Sequence, residues 1–248
     1  QSRESGRAIA LTLQQGLCPY QDRRGQMSIT TDIHDGVATI SMDDGKANAV
    51  GFDLIAGLNA ALDEAEASAR AIVLVGREGK FSAGFDLSVL GSGDPQQASR
   101  LVTQGGTLGL RLFRSPLPVV AACSGHAIAM GCFLLLSSDL RIGVPGPFKI
   151  GANETVIGMT LPVFGQELAR ARLRPERLTE AIVMGQLYPP DMAVQVGYLD
   201  RLSTREALLQ ESQAEAARLG ELPRAAYKGN KLAMRQSFID RIAASLDA

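Results

Sequence analysis

Apolar residues along this chain follow two patterns, short unbroken runs and a longer helical spacing. Residues 29–34 and 37–42 are rich in β-branched side chains and are separated by Asp35-Gly36, a pair typical of hairpin turns. Apolar residues then recur at helical spacing over 52–65, and an unbroken apolar run occupies 71–75, as in a strand covered on both faces. The pattern predicts a β-hairpin, a helix and a buried strand, in that order.

A buried strand, a glycine-containing turn and a helix then occur twice in succession. Such repetition predicts a wound α/β fold, because a helix that follows a strand returns the chain to the next parallel strand. The predicted elements are a loop over 76–84, a helix over 96–113, a strand over 118–123, a turn at 124–126, a helix over 130–138, a strand over 140–144, and helices over 165–185 and 204–245.

Composition excludes several classes of function. The 248 residues carry 25 basic and 26 acidic side chains, which argues against a nucleic-acid-binding protein. No apolar run has the length of a membrane span, so no membrane association is expected. The cysteines Cys18, Cys123 and Cys132 are far apart, which argues against disulfides and favours a reducing, cytoplasmic location. With only His34 and His126, a metal centre built on several histidines is excluded.

The N-terminal segment differs in character from the rest of the chain. Residues 1–26 place four arginines around a short apolar stretch, and Met27 follows them. We interpret 1–26 as a non-native or unprocessed leader; a transit peptide is the alternative, although its acidic residues argue against it. The remainder is predicted to form a core over 27–203 and a helical region over 204–248.

Two turns are candidates for chemistry carried by backbone amides. Residues 81–87 and 124–133 each follow a strand and lead into a helix, so their N–H groups are available to hold a developing negative charge. The alternative for the first is an ordinary turn in which Asp86 caps a helix. In the second, His126 has no serine or cysteine nucleophile pattern near it and is interpreted as structural.

Glu154 is the third candidate. Its neighbours from Val156 to Met159 are largely apolar, and burial among them would raise the pKa of its carboxyl group. A carboxylate with a raised pKa suits a general base near neutral pH. The alternative is a glutamate in a surface turn or at the start of a helix.

Five motifs occur in order along the chain: Lys46-Ala47-Asn48-Ala49, Ser82-Ala83-Gly84-Phe85-Asp86, Gly125-His126-Ala127 with Gly131, Ser138-Asp139-Leu140-Arg141, and Gly197-Tyr198-Leu199-Asp200. Together they resemble the crotonase, or enoyl-CoA hydratase/isomerase, superfamily, and the resemblance runs from about Met27 to the C-terminus. The resemblance implies an α/β spiral of ββα repeats followed by C-terminal helices that mediate trimers, often paired as hexamers.

The resemblance also implies an acyl-CoA thioester as substrate, with no metal and no further cofactor. The amides of Phe85 and Met130 would hold the thioester oxygen, and Glu154 would be the catalytic acid and base. Around them, the loop that contains Lys46 and Ala47 would contact the CoA moiety, and the turns would border the acyl chain. The implied substrate-binding residues are Lys46, Ala47, Ala83, Gly84, Asp86, Leu87, Ser88, Gly131 and Phe133.

One departure from the family pattern favours an isomerase. Hydratases of the family use two glutamates, and Phe133 stands where the first belongs, which leaves Glu154 alone. One carboxylate is enough to move a proton within a 3-enoyl-CoA, so 3,2-enoyl-CoA isomerisation is the expected reaction. Two alternatives stay open, an enoyl-CoA hydratase and a catalytically weak acyl-CoA-binding member. It also stays open whether Lys228 or Lys231 contacts a nucleotide phosphate.

Overall fold

The computed structural model describes residues 29–247, and the predicted leader lies outside the described residues. The strands are β1 (Ile29–His34), β2 (Val37–Met42), β3 (Ala71–Val75), β4 (Gly79–Ser82), β5 (Val119–Cys123), β6 (Gly125–Ile128), β7 (Leu140–Gly143), β8 (Ile150–Gly151) and β9 (Arg201–Leu202). The α-helices are α1 (Phe52–Ser68), α2 (Leu87–Leu90), α3 (Pro95–Phe113), α4 (Met130–Ser137), α5 (Val163–Arg172), α6 (Pro190–Val196), α7 (Leu208–Gly220) and α8 (Arg224–Leu246).

These strands form two sheets. The larger has the order β1-β2-β3-β5-β7-β9, and the smaller has the order β4-β6-β8. The predicted hairpin is present as β1 and β2, and its turn has positive φ angles of 50° at Asp35 and 81° at Gly36. Within both sheets, every other pairing of neighbouring strands is parallel.

A ββα unit repeats along the chain. β3, β5 and β7 each lie in the larger sheet and lead to β4, β6 and β8 in the smaller sheet, and a helix follows each pair. Two predicted boundaries are corrected here, because the loop over 76–84 contains β4 and the turn at 124–126 runs into β6. Both strands are short and contain glycine, so only their pairing, Gly79 opposite Gly125, reveals them.

The core lies on both faces of the larger sheet. In β3, Ile72 and Leu74 belong to the main hydrophobic cluster with α1, α3 and α4, whereas Ala71 and Val73 face the opposite cluster beneath α7. A strand between two apolar layers needs no polar face, which explains the unbroken run in the sequence. The prediction of a strand covered on both faces is therefore confirmed.

The C-terminal half is less regular than its sequence pattern predicts. The helix expected over 165–185 ends at Arg172, and a 3₁₀ turn (Pro175–Arg177) and a π-helical turn (Thr179–Val183) follow. Pro175 lacks the N–H group that a continuing helix requires. Helix α8 packs against α3 and α5, with Ile239 and Ile242 buried in the main core. The predicted division between residues 203 and 204 stays a prediction.

A buried ion cluster ties α8 to the larger sheet. Asp139 binds the Lys231 ammonium at 2.7 Å and the Arg235 guanidinium at 2.9 Å, and it accepts the backbone N–H of Val119. Lys231 is thus occupied inside the fold, so the idea that it contacts a nucleotide phosphate is wrong, whereas Lys228 is exposed. Within residues 29–247, no helix combines the length and hydrophobicity of a membrane span.

Candidate active site

The smaller sheet brings the three candidate segments to one edge. β4, β6 and β8 are neighbours and parallel, so their carboxyl ends lie at the same edge. Phe85 follows β4, Met130 follows the central strand β6, and Glu154 follows β8. Ligands of sheets with parallel strands bind at this edge, since the loops that leave it converge. The topology therefore assembles one site from three segments that are distant in sequence.

The first two turns are in direct contact. A Cβ atom built on Gly84 would lie 2.9 Å from Ala129 Cβ and 3.5 Å from Met130 N. A Cβ atom built on Gly131 would lie 2.3 Å from the carbonyl oxygen of Ser82. Only glycine permits so close an approach of the two backbones, and this approach brings the amides of Phe85 and Met130 to the same region.

A short parallel bridge determines where the Phe85 amide points. Val50 pairs with Phe85, and its N–H donates to Gly84 O at 2.8 Å while its carbonyl accepts from Asp86 N at 3.1 Å. In a parallel bridge of this kind the flanking residues make the bonds, and the N–H of the paired residue points away from the partner strand. The Phe85 N–H is thus directed away from Val50 and is available to a ligand.

The Met130 amide opens helix α4. Ala129 precedes it with a positive φ of 51° and a ψ of −124°, and no side chain caps the helix. First-turn N–H groups lack partners within a helix and carry its positive dipole end. Ala129 O accepts the N–H groups of Cys132 and Phe133, and the structure records no acceptor for the Phe85 or Met130 N–H within residues 29–247.

Glu154 is a buried carboxylate without a full set of partners. Its residue is 9% exposed, and its Oε2 atom is buried with no hydrogen-bond partner among the described residues. Burial raises the pKa of the carboxyl group above its ordinary value of 4.5, and the residue's own backbone N–H opposes the shift. A tight turn holds the residue, since Met159 N–H donates to Glu154 O at 2.8 Å. The turn itself lies at the surface, with Val156 69%, Ile157 52% and Met159 38% exposed, so the expectation that these neighbours bury the carboxylate is wrong. Glu154 is nevertheless buried, which also contradicts the alternative of a solvent-exposed glutamate in this turn.

Two weakly polar groups, Cys132 and Tyr198, lie close enough to this carboxylate to be affected by its charge. Phe133, the neighbour of Cys132 in α4, is 1% exposed and packs edge-on against Phe164, with ring centroids 5.7 Å apart. Burial raises the pKa of the Cys132 thiol, and the negative charge of Glu154 raises it further. Tyr198 is also buried, and the same carboxylate contributes to the rise of its pKa. No group of histidine, cysteine, aspartate and glutamate that could hold a metal occurs in the described part of the chain.

Comparison with known proteins identifies the family. A profile described as enoyl-CoA hydratase/isomerase matches residues 32–248. The chain belongs to the enoyl-CoA hydratase/isomerase family. A structure of a family protein from Pseudomonas syringae has 41% identity and a TM-score of 0.86, covering 89% of this chain and 95% of that one. These matches confirm the crotonase fold.

Named relatives carry both activities. An enoyl-CoA hydratase from Mycobacterium marinum has 35% identity and a TM-score of 0.85, covering 89% of this chain and 97% of that one. The human mitochondrial enoyl-CoA delta isomerase 1 is 29% identical over 224 residues, which span 89% of this chain and 74% of the relative. Family membership alone thus does not separate isomerisation from hydration.

Asn48 holds the loop that the family resemblance assigns to CoA. Its side-chain amide donates to Met42 O at 2.8 Å and to Phe81 O at 3.2 Å, which ties the loop to β2 and β4. Lys46 is exposed in this loop, and Ala47 O accepts the Ala83 N–H. Asn48 occurs in one of the five motifs, but its role in holding the loop was not predicted from the sequence. Its position in a turn-rich stretch was the available signal, since asparagine tolerates its φ of 51°.

The residues after Phe85 form a capped helix start. Asp86 Oδ1 accepts the backbone N–H of Ser88 at 2.9 Å and its hydroxyl at 2.7 Å, so the capping alternative is confirmed for Asp86. Leu87 is 72% exposed beside this cap. Capping does not remove Asp86 from the site, because the cap determines how the chain leaves the Phe85 amide.

His126 belongs to the second segment but lies within β6, and its recorded contacts are with Lys149 and Phe148 rather than with Phe85, Met130 or Glu154. It lies in β6 with its Nδ1 accepting the Lys149 N–H at 3.1 Å, and its ring meets Phe148 edge-on at 5.4 Å. Burial and the nearby lysines Lys80 and Lys149 lower the pKa of its imidazole. These contacts agree with the structural interpretation of His126.

A cavity of about 670 Å³ borders the Glu154 turn. Thr155, Met159 and Leu161 line its side towards the turn, and Ile182 and Val183 line the opposite side. Neither Glu154 nor Phe85 nor Met130 is among its lining residues. The volume therefore adjoins the candidate site without containing its reactive groups.

Proposed function

We propose that the protein isomerises 3-enoyl-CoA thioesters to 2-enoyl-CoA thioesters. The observation that carries the proposal is the single buried carboxylate of Glu154 at the edge where the two amide-bearing turns meet. Phe133 supports it, because by the family resemblance it occupies the position at which hydratases carry the second glutamate that activates water. The human delta isomerase among its relatives is in line with this reaction.

Glu154 carries the proton in the proposed mechanism. Its carboxylate removes a proton from C2 of the substrate, and the electron pair moves into the thioester to give a dienolate. The carboxylic acid so formed returns the proton to C4, and the double bond moves from C3=C4 to C2=C3. Burial raises the pKa of Glu154, which brings its proton affinity closer to that of the enolisable carbon.

The amides of Phe85 and Met130 stabilise the dienolate oxygen. Each donor in such an oxyanion hole contributes about 3–4 kcal/mol to the transition state, because the donor is already oriented and no solvent must be rearranged. Since backbone groups do this, the side chains at both positions are free to vary. Glu154 and the two amides act on opposite ends of the same electron shift.

The remaining binding groups follow the same proposal. Lys46 and Ala47 contact the CoA moiety. The path of the bound thioester is lined by Ala83, Gly84, the stretch from Asp86 to Ser88, Gly131 and Phe133. The reaction needs no metal and no redox cofactor, since CoA is part of the substrate. We propose a homotrimer or hexamer assembled through the C-terminal helices.

Two assays with the purified protein test the proposal. Conversion of trans-3-hexenoyl-CoA to 2-hexenoyl-CoA is expected to be much faster than hydration of crotonyl-CoA, because one carboxylate serves the first reaction and not the second. Both products are followed by chromatography. Faster hydration would instead favour the hydratase, and binding of both thioesters without turnover would favour a catalytically weak binding protein.

The pH dependence tests the role assigned to Glu154. The active form is the carboxylate, so kcat/KM should fall as the pH is lowered through a pKa that lies above the ordinary value of 4.5. The measurement is kcat/KM for 3-hexenoyl-CoA between about pH 4.5 and 8, in buffers of constant ionic strength. A profile whose acid limb lies at or below 4.5 would contradict a buried base.

The same pKa shift acts on stability. The folded protein binds the Glu154 proton more tightly than the unfolded chain does, so this group lowers the free energy of unfolding as the pH rises from 4.5 through the folded pKa. Its ionised form is therefore destabilising at neutral pH.

A further inference from the structure

One glycine of helix α3 lies against the side chains of both residues whose amides are the proposed donors. A Cβ atom built on Gly105 would be 2.4 Å from Phe85 Cε1, 2.6 Å from Phe85 Cζ and 3.6 Å from Met130 Sδ. The two turns therefore meet at their backbones through Gly84 and again, through their side chains, at this position of the helix.

The contact with Phe85 is closer than any side chain at position 105 would allow. Real Cβ atoms essentially never come within 3.0 Å of such a neighbour, so a methyl group here would force the aromatic ring to move. The ring belongs to the residue whose N–H is the proposed donor, and the Val50 bridge holds the backbone of that residue on its other side. The ring therefore has to move when a methyl group is added, and because Val50 holds the backbone on either side of Phe85, we expect this movement to strain the peptide group of Phe85.

We propose that Gly105 is a positioning residue for the two-amide site. By leaving room for the Phe85 ring on α3, it keeps the Phe85 N–H aimed at the point that the Met130 N–H also reaches. The inference rests on the proposed function and adds to it a residue that contacts no reacting atom. This role also explains why a glycine stands at position 105, although glycine in a helix interior is less favourable than alanine by about 1 kcal/mol.

Gly105→Ala is expected to lower kcat about tenfold while changing KM little. Misaligned donors lose their effect in the transition state, whereas the contacts that bind CoA are untouched. The added methyl group favours the helix and crowds the ring, so stability alone does not report on the positioning role.

Truncation of the ring provides the decisive comparison. Phe85→Ala removes the atoms that collide with the new methyl group but keeps the backbone N–H. The double variant Gly105→Ala/Phe85→Ala should therefore have a kcat close to that of Phe85→Ala alone, well above the product of the two single effects. Such non-additivity is the mark of residues that act through one contact.

Gly109 offers a matched control on the same helix. A Cβ atom there would meet Ser137 Oγ at 3.4 Å, Leu168 Cδ1 at 3.8 Å and Met130 Cε at 3.9 Å, all ordinary contact distances. Gly109→Ala makes the same chemical change in the same helix without touching Phe85. Its kcat and KM should match those of the natural sequence.

The experiment compares the natural sequence with these four variants by kcat, KM and melting temperature. Dissociation constants of acetoacetyl-CoA and of free CoA are measured in parallel, and Gly105→Ala should weaken the thioester about tenfold and CoA hardly at all. The inference is overturned if Gly105→Ala equals Gly109→Ala in kcat and thioester binding, or if Phe85→Ala does not relieve its defect. Absence of turnover in the natural sequence would count against the proposed function, and the binding comparison would still decide the inference.

Discussion

Glu154→Gln should reduce the isomerisation rate by about 10²–10⁴-fold, the usual contribution of a positioned acid or base. Glutamine preserves the size and shape of the side chain but neither takes the C2 proton nor returns one to C4. The turn that holds residue 154 uses its backbone carbonyl and is unaffected. The measurement is kcat on 3-hexenoyl-CoA together with the dissociation constant of CoA, which should change less than about threefold.

A second buried glutamate provides the control. Like Glu154, Glu167 is buried, with an exposure of 2%. Its carboxylate, however, binds the guanidinium groups of Arg170 and Arg241. Glu167→Gln should lower the melting temperature and leave kcat near that of the natural sequence. Glu154→Gln should instead lower kcat and raise the melting temperature at neutral pH, because it removes an ionised group that burial disfavours. A Glu154→Gln protein with more than a tenth of the natural kcat would contradict the role of Glu154.

Five of the six strands of the larger sheet were predicted from the sequence, all but the two-residue β9, whereas none of the smaller sheet was. β3 and β5 are unbroken apolar runs because they lie between two hydrophobic layers. β4 and β6 have no such signal, since pairing between Gly79 and Gly125 defines them. This close approach depends on residues distant along the chain, and no local pattern encodes it. Hydrophobic periodicity therefore did not predict the sheet edge that forms the site.

Local sequence pattern pointed to the two turns and to Glu154 as candidates, whereas the roles of individual residues came from the family resemblance. A sequence shows that Glu154 has apolar neighbours but not that its Oε2 atom is buried and unpartnered, which depends on how the chain folds around it. The loop-holding role of Asn48 and the contact between Gly105 and Phe85 likewise join segments separated along the chain. Such contacts are set by tertiary packing, which explains why local reasoning found the turns but not their supports.

Gly84→Ala should lower kcat by at least about 100-fold, the effect of losing one oxyanion donor. Gly84 has a φ of +97°, and the new methyl group would lie 2.9 Å from Ala129 Cβ and 3.0 Å from Ile128 O. The first turn must move away from the second, and the Phe85 amide moves with it. The measurement is kcat on 3-hexenoyl-CoA, with the melting temperature recorded to follow the accompanying loss of stability.

Substitution of Gly93 provides a control that distinguishes the effect of backbone strain from the effect of this collision. It lies between α2 and α3 with a similar φ of +80°, but a Cβ atom there would meet nothing within 4 Å. Gly93→Ala therefore has the strain of an L-residue at positive φ, roughly 1–3 kcal/mol, without pushing the two turns apart. It should lose stability and keep its kcat. Equal kcat values for Gly84→Ala and Gly93→Ala would mean that the close packing of the two turns is not what aligns the amides.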